Sequence, residues 1–199
     1  MSVVLSIDTA APRLQLALSD GERVELLLED MAQGQAERLF PALDDLLVRA
    51  GHVYADLTRI AVTTGPGSFT GLRIGLSAAR GLGLALDLPV VGVPSLLALS
   101  LAAPPGDPVA VLLDARRDEA YLQLFAAPGE PAGPAMLLPM ADARALVPPG
   151  AAVLESPFVD IARLARFAAN LDPADFPPEA AYVRAADAKP QDRFRVARQ

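Results

Sequence analysis

The sequence predicts an α/β protein made of two related lobes. The first half of the chain reads as strands and helices in the order βββαβαβα, which is typical of helices packed on a sheet. Each half also has an aspartate at the end of its first predicted strand, Asp8 and Asp114, which hints at a duplicated architecture. With 199 residues, of which 52% are hydrophobic, the chain can build a sizeable core.

The first half begins with a predicted meander of three strands. Residues 3–7 form a short apolar run, residues 13–18 alternate between apolar and other side chains, and residues 24–28 return after the turn signal Asp20-Gly21. A helix is predicted over 33–50, because its apolar residues recur at helical spacing and Gly51 is placed to end it. A strand at 59–64, a helix at 71–86, a strand at 90–93 and a helix from Ser95 follow.

The second half is separated by the breaker Pro104-Pro105-Gly106, which predicts an N-terminal lobe over 1–105 and a smaller C-terminal lobe over 106–199. Strands at 109–114 and 121–125 are predicted to pair as a hairpin, and the Pro- and Gly-rich segment 128–139 reads as a loop. A short helix at 142–147, a strand at 151–155 and a helix at 158–169 follow. After Leu171 we expect an irregular tail.

Composition excludes several kinds of chemistry. The chain has no cysteine, and His52 is its only histidine, so thiolate nucleophiles and multi-histidine metal sites are ruled out. A metal held by carboxylates alone stays open. The formal net charge of −7 is unfavourable for binding a bare nucleic-acid backbone. With no apolar run long enough to span a membrane, we expect a cytoplasmic protein.

The segment GPGSFTGLR, between a predicted strand and a helix, is the strongest candidate binding motif. Glycines 65, 67 and 71 would let backbone N–H groups approach an anion at the helix N-terminus. The segment lacks the lysine of a Walker A loop, and Thr70 stands where a dinucleotide motif needs its third glycine. The alternative is a tight turn in which Ser68 or Thr70 caps the helix.

The helix at 71–86 carries a stripe of small residues at spacing four: Gly71, Gly75, Ala79 and Gly83. Glycine lowers helix stability, so such a stripe indicates a close approach by another element. That element is either the lobe's own sheet or a partner subunit. Arg73 and Arg80, seven residues apart on one face, favour an exposed edge that meets a partner.

Asp8 and Thr9 follow the first strand. A carboxylate at a strand end can hold a magnesium-bound water or contact a phosphate, but an Asx turn explains the same residue. The alternatives of a ligand site and a local turn therefore stay open for this segment, as they do for Asp114.

The residues now on the page resemble the TsaB family. The resemblance is carried by Asp8-Thr9, by GPGSFTGLRIG at 65–75, by Pro89-Val90-Val91-Gly92-Val93 and by Asp114-Ala115-Arg116 with Glu119 and Tyr121. It covers roughly residues 1–125, with a weaker match at 181–184.

The resemblance implies an actin-like, Hsp70-like (ribonuclease H-like) ATPase fold, here with a shortened second lobe. It implies a subunit without a catalytic or metal site of its own, which pairs with the paralogue TsaD through its first two helices. TsaD carries the active site of the machinery that forms N6-threonylcarbamoyladenosine in tRNA. The resemblance further implies TsaE as a complex partner, contact with tRNA only through the complex, homodimers in the absence of TsaD, and possible nucleotide at the subunit junction.

Two sets of residues follow from this reading. The expected partner interface comprises Gln35, Leu39, Leu43, Leu46, Arg73, Gly75, Leu76, Ala79 and Arg80, and Gly75→Arg is expected to abolish pairing without disturbing the fold. The phosphate-loop-like set comprises Asp8, Thr9, Gly65, Gly67, Ser68, Thr70 and Gly71. The alternative function is a small ATPase or kinase that uses Asp8 or Asp114 with magnesium.

Overall fold

The first half of the chain forms a five-stranded mixed sheet. The computed structural model describes residues 2–181. The strands are β1 (Val4–Asp8), β2 (Arg13–Ser19), β3 (Val24–Asp30), β4 (Arg59–Thr63) and β5 (Val90–Val93). Their order is β3-β2-β1-β4-β5; β1, β2 and β3 pair antiparallel, and β4 and β5 run parallel to β1. Ile7 of β1 lies between Leu16 of β2 and Val62 of β4, which fixes the register at the sheet centre.

Helices cover both faces of this sheet. Helices α1 (Gln35–Ala50) and α2 (Phe69–Leu86) pack side by side on one face, and their buried side chains join Ile7 and Leu16 in one core. Helix α5 (Ile161–Ala168), which comes from the second half of the chain, packs on the opposite face against β1 and β2. The short helix α3 (Ser95–Ser100) follows β5 and contacts the second sheet.

The second sheet also has five strands, and four of them repeat the arrangement of the first sheet. Its elements are β6 (Val109–Arg116), β7 (Glu119–Ala127), β8 (Glu130–Pro131), β9 (Met136–Pro139) and β10 (Ala152–Leu154), with helix α4 (Met140–Ala145). β6 and β7 form an antiparallel hairpin, β9 pairs with β7, and β10 runs parallel to β6. The order β9-β7-β6-β10 therefore matches β3-β2-β1-β4, and the predicted actin-like fold with a shortened second lobe is confirmed.

Most predicted elements are confirmed within two or three residues at each end. The prediction of a plain loop over 128–139 was wrong, because residues 136–139 pair with β7 despite the prolines on either side. The predicted division at 105/106 falls in the connection between the two sheets and stays a prediction. Residues 171–181 lie against the first sheet, where Phe176 O accepts from Gly92 N at 2.8 Å and Thr64 O accepts from Ala181 N at 2.8 Å. The rest of the predicted irregular tail, together with most of the weak match at 181–184, lies outside the described residues.

No helix among residues 2–181 is long and apolar enough to cross a membrane. The longest, α2, is interrupted on its exposed side by Arg73 and Arg80.

The glycine stripe of α2 packs on the lobe's own sheet. A Cβ atom on Gly75 would lie 2.6 Å from Thr9 Oγ1 and 3.4 Å from Val62 Cγ2, and one on Gly83 would collide with Val90. Gly81, which is off the stripe, has no atom within 4 Å of a built Cβ. The interpretation of the stripe as a partner contact was therefore wrong. The expectation for Gly75→Arg was wrong as well, because an arginine there has no space inside the core.

Two glycine substitutions on α2 should change stability in opposite directions. We expect Gly81→Ala to raise the free energy of unfolding by up to about 1 kcal/mol, because alanine favours the helix and meets nothing. We expect Gly75→Ala to lower it by about 1–3 kcal/mol, because the added methyl overpacks the contact with Thr9. Urea denaturation of the two variants measures both changes. Equal and small effects would contradict the close packing of α2 on β1.

Candidate functional site

Asp8 is the buried centre of a hydrogen-bond cluster at the end of β1. Its Oδ1 accepts from Thr63 Oγ1 at 2.5 Å and from Ala10 N at 3.1 Å, and its Oδ2 accepts from Gln15 Nε2 at 2.9 Å. The side chain is 1% exposed. The bond to Ala10 N is that of an Asx turn, so the local-turn alternative describes this residue.

The cluster changes the acid–base behaviour of Asp8. Burial raises the pKa of Asp8 by more than its hydrogen bonds from Thr63, Gln15 and Ala10 lower it. Both carboxylate oxygens are already engaged by donors of the chain itself, so the side chain serves first to join β1, β2 and β4.

The glycine loop is also bound by the chain's own groups. Gly65 N donates to Ser95 Oγ at 3.1 Å, and Ser68 N donates to Ala10 O at 2.7 Å. Ser68 Oγ accepts from Gly71 N at 3.2 Å, which makes Ser68 the N-cap of α2. The capping alternative is therefore confirmed for Ser68, whereas Thr70 lies exposed inside the first turn.

Thr9 and the remaining glycines hold the loop close to β1. Thr9 Oγ1 donates to Gly71 O at 2.7 Å, and a Cβ on Gly71 would collide with the Thr9 carbonyl. A Cβ on Gly67 would lie 2.8 Å from both Cβ and O of Ala10. The predicted phosphate-loop-like residues thus do come together. Their polar groups are largely bonded to one another and to neighbouring residues of the chain.

A cleft of about 560 Å³ opens between the two sheets beside this cluster. Asp8, the 66–70 segment and the Asp114–Arg116 turn all line it, so the two strand-end aspartates face one cavity. Asp114 is exposed, and its Oδ1 accepts from Arg116 N at 2.7 Å. Among residues 2–181, no three His, Asp or Glu side chains gather closely enough to hold a metal ion.

Most of the predicted partner-interface residues lie in the core of this chain. Seven residues of this set are buried: Gln35, Leu39, Leu43, Leu46, Gly75, Leu76 and Ala79. Helical periodicity identifies the apolar face of a helix, and that face packs on the sheet. The prediction that these seven residues contact a partner directly was therefore wrong. The Gln35 amide instead donates to the carbonyls of Ala11 and Arg13.

Arg73 and Arg80 are exposed, as predicted, and neither forms an ion pair within residues 2–181. The Arg73 guanidinium lies 3.8 Å from the centre of the Phe69 ring. Sequence reasoning missed the exposed apolar side chains beside them: Leu84 is 88%, Val48 79% and Phe40 45% exposed. The sequence signal for them was their position on the sides of α1 and α2 opposite the buried residues.

Asp8 offers a test of its structural role. We expect Asp8→Ala to lower the free energy of unfolding by about 1–3 kcal/mol, because Thr63 and Gln15 would lose their buried acceptor. Asp8→Asn keeps one acceptor and should cost less.

Because the pKa of Asp8 is raised on folding, its carboxyl contributes stability that is full below about pH 3.8 and is lost as the pH rises through the raised pKa. The stability of Asp8→Asn relative to the unmodified chain should therefore increase over that range and then level off. Urea denaturation at several pH values measures this difference, and a flat difference would contradict it.

Comparisons with known proteins agree on one family. Residues 29–185 match the family model described as TsaD, tRNA N6-adenosine threonylcarbamoyltransferase. The chain is 35% identical over 121 residues to the tRNA threonylcarbamoyladenosine biosynthesis protein TsaB of Escherichia coli, a match covering 59% of this chain and 52% of that protein. An uncharacterised protein of Mycobacterium tuberculosis is 38% identical over 156 residues, covering 77% of this chain and 71% of that protein. The match thus spans only about half the length of the E. coli TsaB.

A solved structure shares the fold over nearly the whole chain. YeaZ from Pseudomonas aeruginosa superposes with a TM-score of 0.76 at 28% identity, covering 92% of this chain and all of that one. The family model, the TsaB relatives and this structure agree with the actin-like topology described above. The chain belongs to the TsaB family.

Proposed function

We propose that this chain is a non-catalytic subunit that pairs with TsaD and activates it in the complex that forms N6-threonylcarbamoyladenosine in tRNA. The proposal rests on family membership and on one observation above all. Helices α1 and α2 lie next to each other on one face of the first sheet, and both present exposed apolar side chains to solvent.

The exposed sides of these two helices are suited to a protein partner. Phe40 and Val48 of α1 and Phe69 and Leu84 of α2 are large apolar residues that are 45–88% exposed. Isolated exposed apolar residues are ordinary, but four on two adjacent helices are typical of an interaction surface. We call the exposed sides of α1 and α2 the helical face.

The helical face is also divided by charge. Glu37 and Asp44 lie on the exposed part of α1, and Arg73 and Arg80 lie on that of α2. A partner that presents an equivalent pair of helices around a two-fold axis would bring acidic α1 against basic α2 on both sides. That complementarity supports pairing with a structural paralogue such as TsaD, and a homodimer when the paralogue is absent.

The same reasoning supports the absence of catalysis in this subunit. His52, the only histidine, lies in a surface turn with Nδ1 3.3 Å from Asp56 Oδ2, away from the cleft. Asp8 is engaged by three donors of its own chain. We propose that TsaE and tRNA are reached through the complex, and that any nucleotide sits at the junction with TsaD.

One observation favours the alternative of a small ATPase or kinase. The cleft between the sheets, of about 560 Å³, is large enough for a small ligand, and both Asp8 and Asp114 line it. A magnesium-dependent reaction would rely mainly on Asp114, whose carboxylate is the more accessible of the two.

Substitutions on the helical face test the pairing. We expect Leu84→Glu and Arg80→Glu each to weaken the 1:1 complex with TsaD of the same organism by about tenfold or more, because each places a new charge in the contact. Size exclusion with light scattering, followed by a titration, measures this. Val153→Glu is the matched control, because Val153 is a 46% exposed apolar residue of the second sheet. Native affinity for the two helical variants would contradict the assigned face.

Nucleotide binding by the isolated chain separates the two functions. We expect millimolar ATP with magnesium to give no heat in calorimetry and no turnover with this chain alone. Binding to the isolated chain that is lost in Asp114→Asn would support the ATPase alternative instead. Asp142→Asn, on α4 outside the cleft, is the control for the same charge change.

A further inference from the structure

We infer that two copies of this chain pair with α1 of each copy lying on α2 of the other, parallel to it and in a single register. Three residues of α1 then meet three residues of α2 of the second copy: Glu37 with Arg73, Asp44 with Arg80 and Val48 with Leu84. This pairing rests on the proposed function, since it specifies how the helical face proposed there is used.

Helices α1 and α2 run in the same direction. β1 is antiparallel to β2 and β2 to β3, so β3 runs parallel to β1, and β4 and β5 are parallel to β1 as well. Helix α1 connects β3 to β4, and α2 connects β4 to β5. Each helix therefore returns between two parallel strands and runs opposite to them. The two helices are parallel neighbours on one face of the first sheet.

The two helices also start at about the same height above the sheet edge. The Gln35 amide at the start of α1 donates to the Ala11 carbonyl at 3.1 Å, and Thr9 Oγ1 donates to the Gly71 carbonyl of α2 at 2.7 Å. Thr9 and Ala11 both lie in the short connection between β1 and β2. An offset of 36 residues, the difference between 35 and 71, therefore relates positions of equal height on α1 and α2.

The exposed sides of the two helices repeat one pattern at this offset. Each has two charged residues seven apart and a large apolar residue four positions further on: Glu37, Asp44 and Val48 on α1, and Arg73, Arg80 and Leu84 on α2. Such spacings keep the three residues on one side of a helix. Val48 and Leu84, at 79% and 88%, are the most exposed large apolar residues among residues 2–181.

A two-fold axis parallel to the helices brings the two patterns together. Rotation about such an axis keeps every residue at its own height and places α1 of one copy on α2 of the other. Each carboxylate then meets a guanidinium group, and the apolar residues meet each other, twice in the dimer. An axis perpendicular to the helices would place α1 on α1 and α2 on α2, with like charges facing at both contacts. The charges therefore select the first arrangement.

The charged groups of the pattern are free of ion pairs in the described part of the chain. No salt bridge within residues 2–181 includes any of the four: Glu37, Asp44, Arg73 and Arg80. On the flank of α1 towards β3, by contrast, Arg38 pairs with both Glu29 and Asp45. The charges of the helical face are thus the ones that a second copy can neutralise.

Pro41 adds an acceptor to the helical face. It is exposed inside α1 and has no N–H, so the Glu37 carbonyl lacks the helical hydrogen bond from position 41. This carbonyl and the Glu37 carboxylate lie on the same turn of the helix. A guanidinium group has five N–H donors, so Arg73 of the second copy can donate to both.

Reversing the charge of one helix at a time tests the arrangement. We expect Glu37→Arg with Asp44→Arg, and separately Arg73→Glu with Arg80→Glu, to weaken self-pairing about tenfold or more, because each variant brings like charges together. An equimolar mixture of the two variants should recover the affinity of the unmodified chain, which also shows that both variants fold. Analytical ultracentrifugation measures these affinities. Asp107→Arg with Glu130→Arg, two exposed residues of the second half, is the control for net charge.

Single reversals test the register. Glu37→Arg mixed with Arg73→Glu restores every ion pair of the mixed dimer, whereas Glu37→Arg mixed with Arg80→Glu creates two contacts between like charges. We expect the first mixture to pair about fivefold more tightly than the second. Equal affinities for the two mixtures would overturn the inferred register.

Two further outcomes separate this pairing from the proposed function. Double variants that self-pair as tightly as the unmodified chain, or an unmodified chain that stays monomeric, would overturn the inference even where the chain still binds TsaD through Arg80 and Leu84. Double variants that behave as expected in a chain that forms no complex with TsaD would support the inference and contradict the proposed function.

Discussion

The close contact between the start of α2 and the end of β1 governs the rest of this molecule. Thr9 Oγ1 donates to the Gly71 carbonyl, and only glycine at 71 and 75 lets the helix backbone come this close. The contact fixes the direction of α2, which then buries Leu72, Leu76 and Ala79 against the sheet. The opposite side of the same helix, with Arg73 and Arg80, is therefore exposed to solvent.

This contact also explains why the glycine loop is closed. With α2 held against Thr9, Ser68 caps the helix and the loop N–H groups of Gly65 and Ser68 find partners within the chain. A phosphate-binding loop needs such groups unpaired and directed at the ligand. The glycines therefore serve packing first. The cleft between the sheets retains Asp114 as its accessible carboxylate.

Sequence reasoning succeeded where the signal is local. The alternation at 13–18, the turn at Asp20-Gly21 and the left-handed cap at Gly51 all depend on neighbouring residues, and the structure has them as predicted. It failed where the answer depends on what covers a surface. Periodicity placed Leu39 and Leu43 on one face of α1 but could not distinguish the lobe's own sheet from a partner. The environment of Asp8 was equally out of reach, because Thr63 lies 55 residues away in sequence.

Helix α1 separates two surfaces with different chemistry. Arg38, Asp45 and Arg49 lie on its flank towards β3, where they contact Glu29 and Glu25. Phe40 lies on the other flank, towards α2, by the helical period of 3.6 residues. The flank towards β3 is thus held by ion pairs within the chain, whereas the side towards α2 suits packing of helix on helix. The two surfaces meet at Asp44 and Val48, so a partner on the helical face would border these ion pairs without having to break them.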